Sequence, residues 1–247
     1  IAQTDTNNTN GILGGWATVG KTDWATSVAS GAADTLITAF SGYANNSYSA
    51  GNNTDVTTFG SAAGSFTTNT IRFNQASGGT LTMSGTNSLQ AGGILMTPAS
   101  GAVTIAGGGG VILQNATSST TAAALDAIIF QNYSASALLV DVVVGENVSG
   151  AGTQGLTKAG TGKVILAQNN TVRGNIYVTE GTLQTVTGGA TGILGTGTPL
   201  FPQTGATLAF NTTNATEYNP GVINGGGAIW FMPGNGLTTL LDDDNGN

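Results

Sequence analysis

Short runs of alternating apolar and polar residues recur along most of the chain, and turns rich in glycine, asparagine and threonine separate them. In the run 80–84 the apolar residues Leu81 and Met83 fall at every second position, and Val103 and Ile105 repeat the pattern in the next run but one. Strict alternation is typical of a β-strand with one buried face. The centres of the runs from residue 70 to 114 lie roughly 9–13 residues apart, a regular strand-and-turn spacing. The sequence therefore predicts an all-β protein.

Two architectures accommodate many short strands, namely a stacked solenoid and a sandwich or barrel. The glycine-rich turns at 107–110 and 225–227 favour the solenoid, as do the medium-sized aliphatic residues of the apolar runs. Only 7% of the residues are charged. Few charges suit a stack of similar coils, because like charges on neighbouring strands repel. We therefore expect one continuous solenoid over residues 66–247.

The first 65 residues differ from the rest, with weaker alternation and several aromatic side chains. We expect residues 1–65 to form an irregular N-terminal cap, because the open end of a solenoid exposes unpaired strands and core. The aromatic residues in and next to this region are Trp16, Trp24, Phe40, Tyr43, Tyr48, Phe59 and Phe66.

Charge and composition exclude several classes of partner and of chemistry. Lysine and arginine total 5 against 12 acidic residues, and the net charge of −7 argues against nucleic acid or an anionic membrane surface as a partner. The chain has no cysteine and no histidine, so disulfides, cysteine-ligated metals and the commonest general base are excluded. No apolar stretch reaches the length of a transmembrane helix. We expect no cofactor and no catalytic activity.

A motif of about 30 residues in the second half of the chain resembles a known repeat. The segments 155–171 and 174–183 together resemble the autotransporter-associated β-strand repeat, which reads approximately G-L-T-K-x-G-x-G-x-L-x-L-x-x-x-N-x-Y-x-G-x-T-x-V-x-x-G-T-L. The chain departs from that pattern at Val172-Arg173, where the tyrosine is usual, and at Lys163-Val164. Segments 11–18, 69–74 and 92–98 resemble large repeat-rich bacterial surface proteins of the same kind. The resemblance implies a right-handed parallel β-helix, export from a bacterium and a role as a passenger; it implies no single activity.

Acidic residues give two candidate sites. Asp242, Asp243 and Asp244 form the one dense acidic cluster, whose oxygens suit calcium, although the EF-hand spacing is absent and a solvated turn is the simpler interpretation. Asp126 and Asp141 flank the most apolar runs and are candidates for polysaccharide cleavage. We expect them to be strand-edge residues, because Arg72 and Arg173 are distant in sequence from any acidic cluster.

Aromatic side chains give a third candidate. Trp16, Trp24 and Tyr43 have the chemistry to bind sugar, but packing in a core or cap is the expected role.

The expected function is a structural or scaffold protein of a bacterial cell surface or extracellular fibre, stacking end to end as a homo-oligomer. The alternative is an adhesin or carbohydrate-binding passenger module that binds a surface glycan. A polysaccharide-active enzyme is a weaker third hypothesis.

Overall fold

A computed structural model describes residues 2–62, 64–108, 110–112, 127–145, 154–185, 194–195, 198–211 and 221–232. The described part of the chain is all β, with strands, bridges and turns but no helix, which confirms the predicted class. It follows that no helix among these residues is long and apolar enough to cross a membrane.

The first four strands form an antiparallel sheet. They are β1 (Gln3–Thr4), β2 (Thr18–Val19), β3 (Asp23–Ser27) and β4 (Thr35–Ala39), in the spatial order β1-β4-β3-β2. Each neighbouring pair is antiparallel. We call this unit the N-terminal sheet.

The remaining strands pair in parallel. In chain order they are β5 (Ala44–Asn45), β6 (Asn53–Val56), β7 (Gly60–Ser61), β8 (Thr67–Phe73), β9 (Gly79–Thr82), β10 (Thr86–Met96), β11 (Val103–Ala106), β12 (Gly110–Ile112), β13 (Ala127–Gln131), β14 (Leu138–Asp141), β15 (Val144–Gly145), β16 (Leu156–Ala159), β17 (Lys163–Leu166), β18 (Ile176–Val178), β19 (Thr182–Thr185), β20 (Leu200–Pro202), β21 (Thr207–Phe210) and β22 (Ala228–Phe231).

These strands belong to two parallel sheets. Sheet 1 has the order β20-β18-β16-β13-β10-β8-β6-β5, with β12 and β15 pairing beside this path, and sheet 2 has the order β22-β21-β19-β17-β14-β11-β9-β7. From β16 to β21 the chain visits the two sheets in strict alternation. Two parallel sheets visited in turn are compatible with a β-helix or solenoid.

The register places like residues in rows across each sheet. In sheet 1, Ile71, Ile94 and Ile129 are direct neighbours on successive strands. One row of sheet 2 consists of Val103, Leu138, Val164, Leu183 and Leu208. Both rows are fully buried and belong to one hydrophobic core between the sheets. Parallel stacking of aliphatic side chains therefore builds the interior.

The N-terminal sheet packs on the outer face of sheet 1. Leu95 and Phe130 follow Ile94 and Ile129 in their strands, so they point away from the core between the sheets. Fully buried Leu95 forms a second cluster with Trp24 and Ile12, against which Phe130, Phe40 and Tyr43 pack. The Trp24 and Phe130 rings meet edge to face at 6.1 Å. The first part of the chain thus covers a flank of sheet 1, and parallel pairing begins at β5.

Glycine at position 15 allows this close packing. A Cβ on Gly15 would lie 2.3 Å from the Ala91 carbonyl oxygen and 2.8 Å from the Gly93 nitrogen. Both are backbone atoms of β10. We expect Gly15→Ala to lower the free energy of unfolding by about 1–3 kcal/mol, because fixed backbone must move apart. Urea unfolding followed by tryptophan fluorescence measures this. The matched control is Gly108→Ala, whose new methyl group meets nothing within 4 Å; an equal loss in both variants would contradict the argument.

Candidate functional site

A cavity of about 510 Å³ lies beside β7, at the first strands of the two parallel sheets. We call it the β7 cavity. Its lining combines two aromatic rings and a leucine with small polar residues, and no lining residue is charged. The lining residues are Asn46, Ser47, Tyr48, Thr58, Phe59, Gly60, Ser61, Ala62 and Leu81.

Packing fixes the walls of the β7 cavity. The Tyr48 ring lies 4.7 Å from that of Phe66, and burial raises the pKa of the Tyr48 phenol to about 12. The side-chain oxygen Oδ1 of Asn46 accepts hydrogen bonds from the backbone N–H groups of Thr57 and Thr58, at 3.0 and 3.1 Å. The cavity is therefore an uncharged, preformed depression.

The opposite end of sheet 2 exposes apolar side chains. In β22, Ile229, Trp230 and Phe231 are all exposed, Trp230 by 60%. Phe231 pairs with Phe210 on β21, and the two rings stack at 5.4 Å. Ile229 pairs in the same way with the buried Leu208. Ile229 and Phe231 therefore continue two interior rows into β22, the last strand among the described residues, and both side chains are exposed there.

A charged cluster joins the N-terminal sheet to sheet 1. Arg72 of β8 donates from Nε and Nη2 to both carboxylate oxygens of Asp55 in β6, at 2.9 and 2.8 Å, and from Nη1 to Asp23 in β3. Its guanidinium lies 3.5 Å from the centre of the Tyr43 ring, whose hydroxyl accepts a hydrogen bond from the Trp24 backbone. Burial lowers the pKa of Arg72, but the hydrogen bonds and charge of Asp55 outweigh burial and raise it overall.

Buried amides and hydroxyls form a second link between the N-terminal region and sheet 1. The side-chain oxygen Oδ1 of Asn53 accepts hydrogen bonds from the side-chain amide of Asn69 at 2.7 Å and from the Thr70 hydroxyl at 2.9 Å. The Asn53 amide donates to the Asn10 backbone carbonyl, and the Asn10 amide donates to Asn69. Because these groups satisfy one another, the network fixes the position of the N-terminal segment.

A lysine occupies an interior row of sheet 1. Lys158 of β16 pairs with Ile129 on one side and Val178 on the other, and its exposure is 0%. Its ammonium group donates to the backbone carbonyls of Gly160 and, at 2.8 Å, Glu180. Burial lowers the pKa of Lys158 to about 7, although the charge of Glu180 opposes the shift. The lysine thus holds two turns together from inside.

The candidate acidic residues are not brought together by the described structure. Asp126, Asp242, Asp243 and Asp244 lie outside the described residues. Asp141 is half-buried at the end of β14 and accepts a hydrogen bond from the Gln168 amide at 2.6 Å. Among the residues with described positions, no group of three or more acidic side chains has metal-site geometry. The calcium hypothesis for Asp242, Asp243 and Asp244 stays a prediction.

The candidate aromatic residues separate into different environments. Trp24 is fully buried, Tyr43 lies under Arg72, and Trp16 is 53% exposed. Sequence distance concealed the cluster around Arg72, because its two carboxylates come from positions 17 and 49 residues away. Alternation contained a signal for Lys158, which stands two positions after Leu156 and therefore on the same face of its strand.

Comparisons with known proteins do not identify a family or a function for this chain. No family model, curated protein or solved structure matches this chain. Function is therefore argued from the two sheets, their ends and the buried polar groups.

Proposed function

We propose that this chain is a structural scaffold of a bacterial cell surface, folded as a right-handed parallel β-helix of the autotransporter-passenger type. One observation carries the proposal: aliphatic residues pair in continuous register across five neighbouring strands of sheet 2. In sheet 2 the row from Val103 to Leu208 contains only valine and leucine. Such stacking makes each coil a support for the next, and stability then depends on nearest neighbours.

The residues of the repeat-like motif support the same proposal. Lys158, Gly160 and Gly181 occupy the K, G and final G of the pattern, and they meet at one corner of the interior. Gly181 has φ of 66°, and a Cβ there would lie 2.4 Å from the Gly162 carbonyl oxygen. The motif thus specifies a compact turn with an internal lysine, a unit that repetition extends.

Modularity is the property that tests a scaffold. Residues 156–175 form one coil, because Leu156 of β16 pairs with Ile176 of β18, and they contain β16 and β17, one strand from each parallel sheet. We expect a chain in which this segment is duplicated in tandem to fold, to gain about 5 Å in length, and to show a larger urea m-value because more surface is buried. Circular dichroism and urea unfolding measure the added β-structure and the m-value. A control insertion of the same 20 residues in scrambled order should not fold into added β-structure, and an unfolded or aggregated duplication would contradict the proposal.

A carbohydrate-binding passenger is the second candidate, and the β7 cavity favours it. Tyr48 and Phe59 offer aromatic surface, and Ser47, Thr58 and Ser61 offer hydroxyl groups, a combination suited to neutral sugars. A glycan array with the purified chain separates the two functions. Binding that disappears in Tyr48→Ala, while the fold is retained, would favour an adhesin; the scaffold proposal expects no glycan signal at this cavity.

A further inference from the structure

We propose that a second copy of this chain docks head to tail, with the Phe231 ring of one copy entering the β7 cavity of the next. This inference rests on the proposed solenoid architecture. It gives that architecture a partner and a specific contact between β22 and β7, the two end strands of sheet 2 in the part of the chain that the structure describes.

The register of sheet 2 aligns the two ends. Gly60 on β7 pairs with Leu81 on β9, and Phe231 on β22 pairs with Phe210 on β21. These four residues belong to one row, so a copy stacked in register places Phe231 opposite Gly60. The intervening members of the row are Ile105, Val140, Leu166 and Thr185.

The shapes of the two ends are complementary. Gly60 has no side chain, and a Cβ built there would meet nothing within 4 Å, so the row begins with an open space above Leu81. Phe231 is the last member of the row among the described residues, and its ring is exposed. The Phe210–Phe231 stack at 5.4 Å shows that this row accepts a large side chain from the next strand. A phenylalanine ring from a neighbouring copy therefore fits the cavity as the next member of the row.

Charge and geometry favour a second copy over an unrelated partner. The chain carries a net charge of −7, yet residues 221–232 and the lining of the β7 cavity contain no charged residue. Like copies can therefore approach end to end with little repulsion at the contact. Sheet 1 also continues to this end, because Ile223 bridges in parallel to Leu200. Only a partner with the same spacing between two parallel sheets matches both sheets at once.

Disulfide trapping tests the register directly, because the natural chain has no cysteine. Ser61 follows Gly60 and Met232 follows Phe231, so stacking brings positions 61 and 232 of different copies to the distance of adjacent parallel strands, about 4.8 Å. We expect the double variant Ser61→Cys, Met232→Cys to give a ladder of disulfide-linked multimers under mild oxidation. Each single variant should stop at a dimer. No species above the dimer in the double variant would overturn the proposal.

A charge in the contact gives a second readout. We expect Phe231→Asp to weaken self-association, measured by sedimentation equilibrium, by about tenfold or more, because a carboxylate loses its water in the β7 cavity. The matched control is Trp230→Asp, which changes an aromatic residue on the outer face of the same strand and should weaken association much less. Equal association of wild type and Phe231→Asp would overturn the contact. If the duplicated chain described above folds but remains monomeric, the scaffold proposal stands and the docking fails.

Discussion

Replacing Arg72 with leucine is expected to lower the free energy of unfolding by about 3–5 kcal/mol, the usual loss when one partner of a buried ion pair is removed. The substitution leaves the Asp55 carboxylate buried without its two guanidinium hydrogen bonds, and Asp23 loses its contact as well. Urea unfolding at neutral pH measures the loss. Trp24 should become more accessible to a fluorescence quencher, because its sheet is held by the same cluster.

Two further variants make the Arg72 result specific. Arg72→Lys keeps the charge but cannot form the paired hydrogen bonds to Asp55, so an intermediate loss is expected. Arg173→Leu changes an arginine whose side chain is exposed and should cost less than about 1 kcal/mol. If Arg72→Leu and Arg173→Leu cost the same, the cluster does not join the N-terminal sheet to sheet 1.

Replacing Lys158 with alanine is expected to lower the free energy of unfolding by about 3 kcal/mol or more, since it opens a cavity and removes the hydrogen-bond donor from two backbone carbonyls. Those carbonyls belong to Gly160 and Glu180. Lys158→Met should cost less than Lys158→Ala, because methionine fills the space and loses only the hydrogen bonds. Urea unfolding of both variants against wild type checks the order, and equal losses would show that the hydrogen bonds alone matter.

The same lysine makes stability depend on pH in a defined direction. Its pKa is about 7 in the folded chain and about 10.4 in the unfolded chain, so the unfolded chain binds more protons between these values. The free energy of unfolding should therefore rise with pH above 7, by at most about 1.4 kcal/mol per pH unit, and its contribution should be lowest below pH 7. Subtracting the profile of Lys158→Met isolates this group. A difference that stays flat from pH 7 to 10 would show that Lys158 remains charged in the fold.

Alternation in the sequence predicts many strands of the two parallel sheets, because side chains of a strand face opposite sides at each step. Thr80-Leu81-Thr82 and Ala102-Val103-Thr104 are examples, since Leu81 and Val103 are buried in β9 and β11 as their pattern requires. The antiparallel strands β1 to β4 lie in the region of weaker alternation, and alternation alone does not predict them. Which strands pair did not follow from alternation, because pairing depends on contacts between distant parts of the chain.

The polar groups of the interior were harder to predict. Arg72 is distant in sequence from any acidic cluster, but β6 and β8 pair in parallel and place Asp55 directly beside it. Lys158 occupies the lysine position of the repeat-like motif, and its position in the strand places it in the core with Leu156. For both residues, the charged side chain alone indicates an exposed position. Only the pairing of the strands shows that hydrogen-bond partners are present to offset the free-energy cost of burying the charge.

Distances between outward-facing positions along one row of sheet 2 test the stacked architecture most directly. Thr80, Ile165 and Trp230 belong to the row Thr80-Thr104-Leu139-Ile165-Gln184-Ala209-Trp230. Spin labels on cysteines at 80 and 165 span three strand steps, and labels at 80 and 230 span six, so pulsed electron resonance should give backbone separations of about 14 and about 29 Å. Labelled protein diluted with unlabelled chain removes distances between copies. A second distance close to twice the first supports a regular stack, whereas two similar distances would contradict it.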